Sequence, residues 1–462
     1  MSIDLAWPEG RRGHTRASSQ STGRPSPSLH TGDTAQMMES TEALPRTHLL
    51  SLPAEIREEI YRILLGPAAS RRYHDDEYTS YNYWPALQVL RTNRQIYLEA
   101  RKIFRDLNVF ACIETPWPEA QSHVSIEGHV PIIVADERAG KFNGHRLNIT
   151  IDAPEHSSLN WETQRFVILA DDIAKFTEMW MYSSLTHPGL NEHLRLKLEL
   201  RDPYTPDGEE KTMPKALQRK LLLPFAMVKS LNRASNSEGT IITGSPKPYS
   251  SVEQELRKLQ AEPHKSPEHC LREATRLKFE GNAELAKGDC QAALRLYNDA
   301  WRAMHIVIKG KKRRIHGDAW FARELYEEPF RGKNGQTERL LLRVHLVANT
   351  CAVYLKLKEW ELTRYWGMRS ISMLREAMGT DDRQLLAPEE EAVTAFPAAA
   401  QMGKIYYRTA VANKELGDEG EARRLLRVAR IYLPDDEAVK REVAATALQL
   451  GGPAPYPWSP TP

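Results

Sequence analysis

Five polar side chains in the C-terminal half of the chain have types and spacings suited to binding carboxylates. Lys278 and Asn282 are four residues apart, and so are Lys404 and Arg408, so each pair lies on one face of a predicted helix. Asn349 lies on a further predicted helix between them in sequence. Three cations and two amide donors can satisfy the two adjacent carboxylates of a peptide that ends in Asp, through charge-assisted hydrogen bonds worth about 1.5–3 kcal/mol each. We therefore predict a pocket for a doubly anionic chain end.

Pairs of short helices must hold these side chains in place. The stretch from Ala274 to Ala300 predicts two helices joined by a tight turn at Gly288-Asp289. Small residues stand where the helices approach each other and larger ones where a gap must be filled: Gly281, Ala293 and Ala300 against Leu277, Leu285 and Tyr297. Such a pair cannot bury its apolar face alone, so we expect stacked neighbours.

Two further helix pairs and a last helix follow. The second pair begins near Leu340 and turns at 354–360, and the third runs from Lys404 to Pro434 with its turn at Gly417. Residues 436–450 predict a helix that covers the last apolar face, as stacked arrays require.

These helix pairs resemble the tetratricopeptide repeat in the version found in co-chaperones. The resemblance is carried by Leu-Lys-x-Glu-Gly-Asn at 277–282 and by Tyr-Leu-Lys-Leu-Lys-Glu-Trp at 354–360. It implies a superhelix of three repeats and a capping helix over residues 266–452, whose first helices line a concave groove. In chaperone-binding members, five groove positions hold a clamp for two carboxylates with Lys, Asn, Asn, Lys and Arg in that order. This sequence matches all five, with Lys278, Asn282, Asn349, Lys404 and Arg408. The implied partner is the acidic C-terminal peptide of a cytosolic heat-shock chaperone of the ninety- or seventy-kilodalton class.

Three alternatives stay open. Lys and Arg at helical spacing often form a solvated face. A repeat scaffold would also bind a different peptide through apolar groove residues such as Tyr406 and Tyr407. An enzyme with its site in the preceding region is the third alternative. Since that region has no nucleophile–base or metal-ligand spacing, we predict a non-enzymatic protein without catalytic residues, cofactor or metal.

A second motif lies nearer the N-terminus. Pro53 begins a predicted helix on which Ile56, Ile60, Ile63 and Leu64 form an apolar stripe, and Gly66-Pro67 ends it. A second helix is predicted over 84–107.

The Leu-Pro-x-Glu-Ile-x-x-x-Ile start of this segment resembles the F-box-like segment common in fungal proteins. The matching residues are Leu52, Pro53, Ile56 and Ile60. The resemblance implies docking on the linker subunit of an SCF-type ubiquitin ligase. The alternative is that these apolar residues pack on the domain that follows.

Residues 111–232 change from helical to alternating periodicity. Short strands are predicted at 109–113, 130–134, 147–151, 165–169 and 194–200, with helices at 171–181 and at 216–231, the latter broken at Pro224. The alternation along the later strands predicts a sheet with one wet face.

The predicted protein is multidomain: an N-terminal α+β F-box-like domain is followed by an all-α repeat superhelix. We divide the chain into six segments. A disordered tail (1–43) precedes an F-box-like helical segment (44–110) and an α+β region continuous with it (111–232). A polar linker (233–265), the repeat domain (266–452) and a loose tail (453–462) follow. Two insertions separate the repeats. The first carries the basic run 309–314, which predicts a solvated loop or, alternatively, a nuclear localisation signal or nucleic-acid contact, and the second is acidic, at 381–397.

Composition limits the partners. The 462 residues carry 63 basic against 61 acidic side chains, a net charge of +2, which argues against bulk nucleic-acid binding. Four scattered cysteines form no C-x-x-C pair, so we expect a reducing compartment. No stretch predicts a membrane span or a secretory signal, and we expect a cytoplasmic protein, with the basic run allowing a nuclear location.

Overall fold

The computed structural model describes residues 48–74, 78–154, 162–232, 239–380 and 386–448. It confirms the coarse fold class, an N-terminal α+β region followed by a helical region. The predicted tails at 1–43 and 453–462 lie outside the described residues, as does part of the acidic insertion, 381–385. We number here the helices of eight or more residues.

The N-terminal region begins with a hairpin of β1 (Arg71–His74) and β2 (Tyr78–Tyr81) and is built on a separate six-stranded sheet. The strands of the sheet are β3 (Phe110–Thr115), β4 (Val134–Ala135), β5 (His145–Asp152), β6 (Gln164–Leu169), β7 (Arg195–Arg201) and β8 (Thr240–Ser245). Their order across the sheet is β4-β6-β3-β5-β7-β8. The β3–β5 and β7–β8 pairs are parallel and the others antiparallel.

Helices cover both faces of β3 and β6, whereas β5 and β7 bury one face and keep the partly exposed polar face that the alternation predicted. The helices are α1 (Ala54–Leu65), α2 (Arg94–Leu107), α3 (Ile173–Thr186), α4 (Lys215–Leu222) and α5 (Ser250–Ala261). Along β3, Phe110 and Cys112 pack in the core that contains α1 and α2, while Ala111 and Ile113 pack in the core that contains α3, α4 and α5. Successive side chains of a strand point to opposite faces, and both faces of β3 are covered. β3 is therefore buried along nearly all of its length, and its sequence does not alternate between apolar and polar residues.

Two local predictions were wrong in detail. The strand predicted at 130–134 is reduced to the two residues of β4. The single helix predicted over 84–107 is divided into Trp84–Leu87, a 3₁₀ turn at Gln88–Arg91 and α2. The side chain of Asn93 accepts the backbone N–H of Gln95 at 2.7 Å, so it caps α2 and ends the preceding turn.

The polar linker predicted at 233–265 is also wrong where the structure describes it. β8 joins the sheet beside β7, and α5 buries Val252 and Leu256 in the core. β8 contains a glycine, which makes its sequence resemble a linker, but this glycine is required by packing. Gly244, at φ 133°, lies against the backbone of Leu200, and a Cβ there would be only 2.2 Å from the Leu200 oxygen. Only glycine permits that approach.

The helical region contains three antiparallel helix pairs and a further helix at the predicted positions. They are α6 (Pro267–Lys287) with α7 (Cys290–Ala303), α8 (Gly335–Lys356) with α9 (Trp360–Ala377), α10 (Ala399–Glu415) with α11 (Glu419–Tyr432), and α12 (Glu437–Leu448). Gly288, at φ 94°, ends α6 in the left-handed conformation. Gly281 allows Tyr297 of α7 to approach, because a Cβ there would lie 2.5 Å from the ring.

The basic run does not form the expected solvated loop. It belongs to a hairpin of β9 (Ile306–Lys309) and β10 (Lys312–Ile315) that joins the two regions. The ring of His316, just after β10, stacks on Tyr182 of α3 at 4.6 Å, and Arg314 forms an ion pair with Glu127. Arg302 also contacts Glu178 of α3 at 3.1 Å, so the helical region is docked on the α+β region.

Candidate functional site

The five predicted clamp residues lie on α6, α8 and α10, and contacts between these helices bring the faces that carry them together. Nδ2 of Asn349 donates to Oδ1 of Asn282 at 2.7 Å, which joins α8 to α6. A guanidinium N–H of Arg408 donates to the backbone oxygen of Ala348 at 2.5 Å, which joins α10 to α8. Residues that sequence reasoning placed on three separate helices therefore meet around one turn of α8.

The Asn282 amide has a defined orientation. Its Oδ1 accepts from Asn349 and also from the hydroxyl of Tyr297 at 2.8 Å. Both donors occupy the oxygen end, so the Nδ2 group of Asn282 is left to donate. The pair of amides can therefore offer N–H groups to an incoming carboxylate without adding charge.

Two lysines lie on the outer helices of this face. Lys278 of α6 is only 9 % exposed, and its Nζ lies 4.4 Å from the centre of the Phe279 ring. Burial lowers the pKa of Lys278. Lys404 of α10 is exposed. Within the described ranges, neither ammonium forms an ion pair or hydrogen bond, so neither charge is compensated.

Arg408 is partly buried beneath them. Burial is the main cause that lowers its pKa, and nearby groups such as Cys351 and Tyr297 raise it weakly. Its hydrogen bond to Ala348 uses one of five N–H groups, so the guanidinium keeps donors for a ligand.

Sequence reasoning missed His345 in this site. Burial lowers its pKa first, and the positive charges of Lys278 and Lys404 lower it further, so the imidazole lies within reach of both charges. His345 precedes Asn349 by four residues on α8, and that helical spacing could have identified it.

The described parts of the two insertions do not bond to these residues. Part of the first insertion lies on the start of α6, where Glu327 pairs with Arg272 at 2.6 Å. Arg272 is six residues, about 9 Å along the helix, before Lys278. Through the described part of the chain, no hydrogen bond or ion pair joins either insertion to the five residues.

The apolar groove residues predicted as an alternative are only partly supported. Tyr406 is fully buried, and its hydroxyl donates to Glu391 at 2.8 Å, so the prediction that it lines the groove is wrong. Tyr407 is half-buried beside acidic residues near the last helix, Asp436 and Glu442. Phe279, which is 60 % exposed, is an apolar side chain in contact with Lys278.

A second candidate surface is the outer face of α1. Ile56 is 50 % and Ile63 75 % exposed, Pro53 and Leu64 are exposed, and Leu52 and Ile60 are partly buried. The alternative that this stripe packs on the following domain is therefore wrong for Ile56 and Ile63. The outward side of α1 carries these isoleucines beside exposed charged residues such as Glu59, whereas the inward side carries the charge of Arg57.

That inward charge explains the orientation of α1. Arg57 forms a two-pronged ion pair with Glu99 of α2, at 2.9 Å and 2.6 Å, and the Tyr61 hydroxyl donates to the same carboxylate at 3.2 Å. The hydrogen bond from Arg57 lowers the pKa of Glu99 to about 2. The pair and Leu65 occupy the side of α1 that faces the core, which leaves the isoleucines outside.

Comparison with known protein families, with curated proteins and with solved structures found no match for this chain. In the described ranges, no cluster of three or more His, Cys, Asp or Glu side chains could hold a metal ion. Over the same ranges, no helix has the length and apolar character needed to cross a bilayer.

Proposed function

We propose that the protein is an adaptor whose helical groove binds the acidic C-terminal peptide of a cytosolic heat-shock chaperone. The observation that carries the proposal is the uncompensated charge of Lys278 and Lys404, which both act on His345, four residues before Asn349 on α8, where the Asn282–Asn349 amide pair and Arg408 also lie. The resemblance of 277–282 and 354–360 to co-chaperone repeats supports the same ligand.

The chemistry suits two carboxylates that are close together. A peptide ending in Asp presents its terminal carboxylate beside its last side-chain carboxylate. Lys278, Lys404 and Arg408 supply charge, while Asn282 and Asn349 supply N–H donors. Because each contact is charge-assisted, loss of one costs about 1.5–3 kcal/mol, and binding weakens as salt is added.

Calorimetric titration of the full chain with a peptide ending in Met-Glu-Glu-Val-Asp tests this proposal. Binding is expected to fall at least tenfold in Lys404→Ala plus Arg408→Ala, since about 1.4 kcal/mol corresponds to a factor of ten. Amidation of the peptide C-terminus should have a similar effect. The matched control, Lys287→Ala plus Arg427→Ala, removes two exposed cations elsewhere in the helical region. Absence of binding, or equal binding by both double variants, rules out the clamp.

The exposed stripe of α1 supports a second partner for the same adaptor. Ile56 and Ile63 are exposed on one helix, and a partner that covered them would remove their apolar surface from water. By its F-box-like sequence, this partner is the linker subunit of an SCF-type ubiquitin ligase. Co-purification with that subunit should be lost in Ile56→Ser plus Ile63→Ser and retained in Tyr249→Ser, which alters a distant exposed apolar side chain. Retention in both refutes ligase docking.

A repeat scaffold for a different peptide is the second candidate function. The exposed Phe279 ring favours it, because it offers apolar contact beside Lys278. Partner binding that changes little with salt and falls in Phe279→Ser would favour this candidate over the carboxylate clamp.

A further inference from the structure

Three arginines from different elements lie together on the side of the helical region that faces the β9–β10 hairpin. Arg313 comes from β10, Arg343 from α8 and Arg369 from α9. A guanidinium N–H of Arg369 donates to the backbone oxygen of Lys311 at 3.1 Å, which places the hairpin turn on α9. One turn further along α9, Met373 accepts a contact from Arg313.

Among the described residues, no carboxylate forms an ion pair with any of the three. Arg313 has only weak partners, the thioether of Met373 at 2.8 Å and the face of the Trp301 ring at 5.5 Å. The Nε atoms of Arg313 and Arg343 are buried without a hydrogen-bond partner. The Nε of Arg339, on the same helix as Arg343, also has no partner, but the terminal nitrogens of Arg339 bind Asp318 at 2.9 Å and backbone oxygens.

The charges in this cluster repel one another. Burial, followed by the charges of Arg343 and Arg369, lowers the pKa of Arg313 to about 9, and the ring hydroxyl of Tyr365 opposes this only weakly. Burial also lowers the pKa of Arg343. The nearest carboxylate to act on Arg343 is Asp318, whose charge is already paired with Arg339. Positive charges held together without a counter-ion are costly, and a bound anion would relieve that cost.

The cluster is open to solvent on one side. Arg369 lines a surface cavity of about 740 Å³ together with Lys311 and Arg364. Acidic residues also line the cavity, Glu361 on α9 and Asp418 and Glu421 at the start of α11. An anion would therefore enter at the end formed by α9 and the hairpin.

We propose that Arg313, Arg343 and Arg369 form a binding site for a phosphoryl group, either free phosphate or the phosphate of a small molecule. The planar guanidinium presents paired N–H donors that match the oxygens of a phosphate. Three such groups on separate elements surround one tetrahedral anion better than they fit a flat carboxylate. The site lies on the hairpin side of α8, away from Asn349, and does not depend on the peptide groove.

Thermal unfolding and calorimetry of the full chain test the site with inorganic phosphate, pyrophosphate and chloride at matched ionic strength. Phosphate and pyrophosphate should raise Tm by roughly 2 °C or more beyond chloride, because a ligand that binds only the folded state stabilises it. Tighter binding of pyrophosphate would identify a phosphate carried by a larger molecule, and equal binding would identify free phosphate. Arg343→Gln should weaken binding about tenfold.

Two results distinguish phosphate binding at this cluster from a purely structural role of the arginines and from binding in the peptide groove. Without phosphate, Arg343→Gln should raise Tm, since it removes repulsion, whereas loss of a structural arginine lowers it. Lys404→Ala plus Arg408→Ala should keep the full phosphate response, and so should Arg331→Gln, which removes an exposed arginine elsewhere. If Arg343→Gln does not fold, Arg369→Gln at the open side carries the same test. The proposal is overturned if the rise in Tm with phosphate is no larger than with chloride. It is also overturned if that rise is unchanged in the cluster variants, or if it is lost only in the groove variant.

Discussion

Thr409 of α10 packs directly over Gly367 of α9. A Cβ added at Gly367 would lie 1.8 Å from Oγ1 of Thr409, which is fully buried and donates to the backbone oxygen of Ile405 at 2.7 Å. This contact sets how closely the second and third helix pairs approach. Because Lys404 and Arg408 are carried by α10, it also sets the distance of these cations from α8.

Gly367→Ala should therefore both destabilise the protein and weaken peptide binding. Overpacking of a buried contact costs about 1–3 kcal/mol, and a displaced α10 moves Arg408 away from Ala348. Urea unfolding gives the first quantity and peptide titration the second. Gly420→Ala is the matched control, since Gly420 is a helical glycine whose added Cβ would make only an ordinary contact, 3.9 Å from Oδ1 of Asp418. It should be neutral or gain about 0.5–1 kcal/mol from helix propensity, and an equal loss in both variants would contradict this reading.

The protein should take up a proton at His345 when the peptide binds. The charges of Lys278 and Lys404 contribute to its lowered pKa, and bound carboxylates would neutralise both. The pKa of His345 is then higher in the complex than in the free protein but still below 6.5, since the imidazole stays buried, so affinity should rise as the pH falls below 6.5. Titrations in buffers of different ionisation enthalpy measure this uptake. His345→Gln should abolish it, and a pH dependence unchanged in that variant would exclude His345 as its source.

Glu99 should make stability depend on acid pH. Its pKa is lowered from 4.5 to about 2 by Arg57, so it binds fewer protons in the folded than in the unfolded state. The stability that it contributes is present above about pH 4.5 and is lost as the pH falls towards 2. Glu99→Gln should lower Tm at pH 7 and reduce the fall in Tm between these two pH values. Glu59→Gln, an exposed acid on α1, should leave the acid profile as it is.

Glu391 should be the most sensitive residue of the acidic insertion. It is fully buried and binds Arg424 at 2.6 Å, Arg375 at 3.5 Å and the Tyr406 hydroxyl. Glu391→Ala leaves two guanidinium groups without this carboxylate, which costs about 3–5 kcal/mol for a buried pair. Denaturant unfolding measures the loss. The exposed neighbour Glu389 provides the control, and if Glu389→Ala costs as much, burial of Glu391 is not the cause.

Sequence periodicity predicted much of the helical region. Small residues such as Gly281 marked the close approach of two helices, and glycines such as Gly288 and Gly417 marked the turns. The four-residue spacing of Lys404 and Arg408 correctly put them on one helix. Turn glycines and helical spacing could be identified from the sequence because each depends on local geometry alone. The peptide that this surface binds stays a prediction.

The same periodicity did not show which face of a helix or strand is covered. Tyr406 and Ile56 were both assigned to apolar faces, yet Tyr406 is buried on Glu391 and Ile56 is exposed because the opposite face of α1 holds the Arg57–Glu99 pair. The partners in that pair are 42 residues apart. The strand around Gly244 and the arginine cluster around Arg313 likewise depend on distant elements. A sequence determines which residues share a face, whereas burial and pairing are decided by whatever packs against that face, and only the tertiary structure brings those elements together.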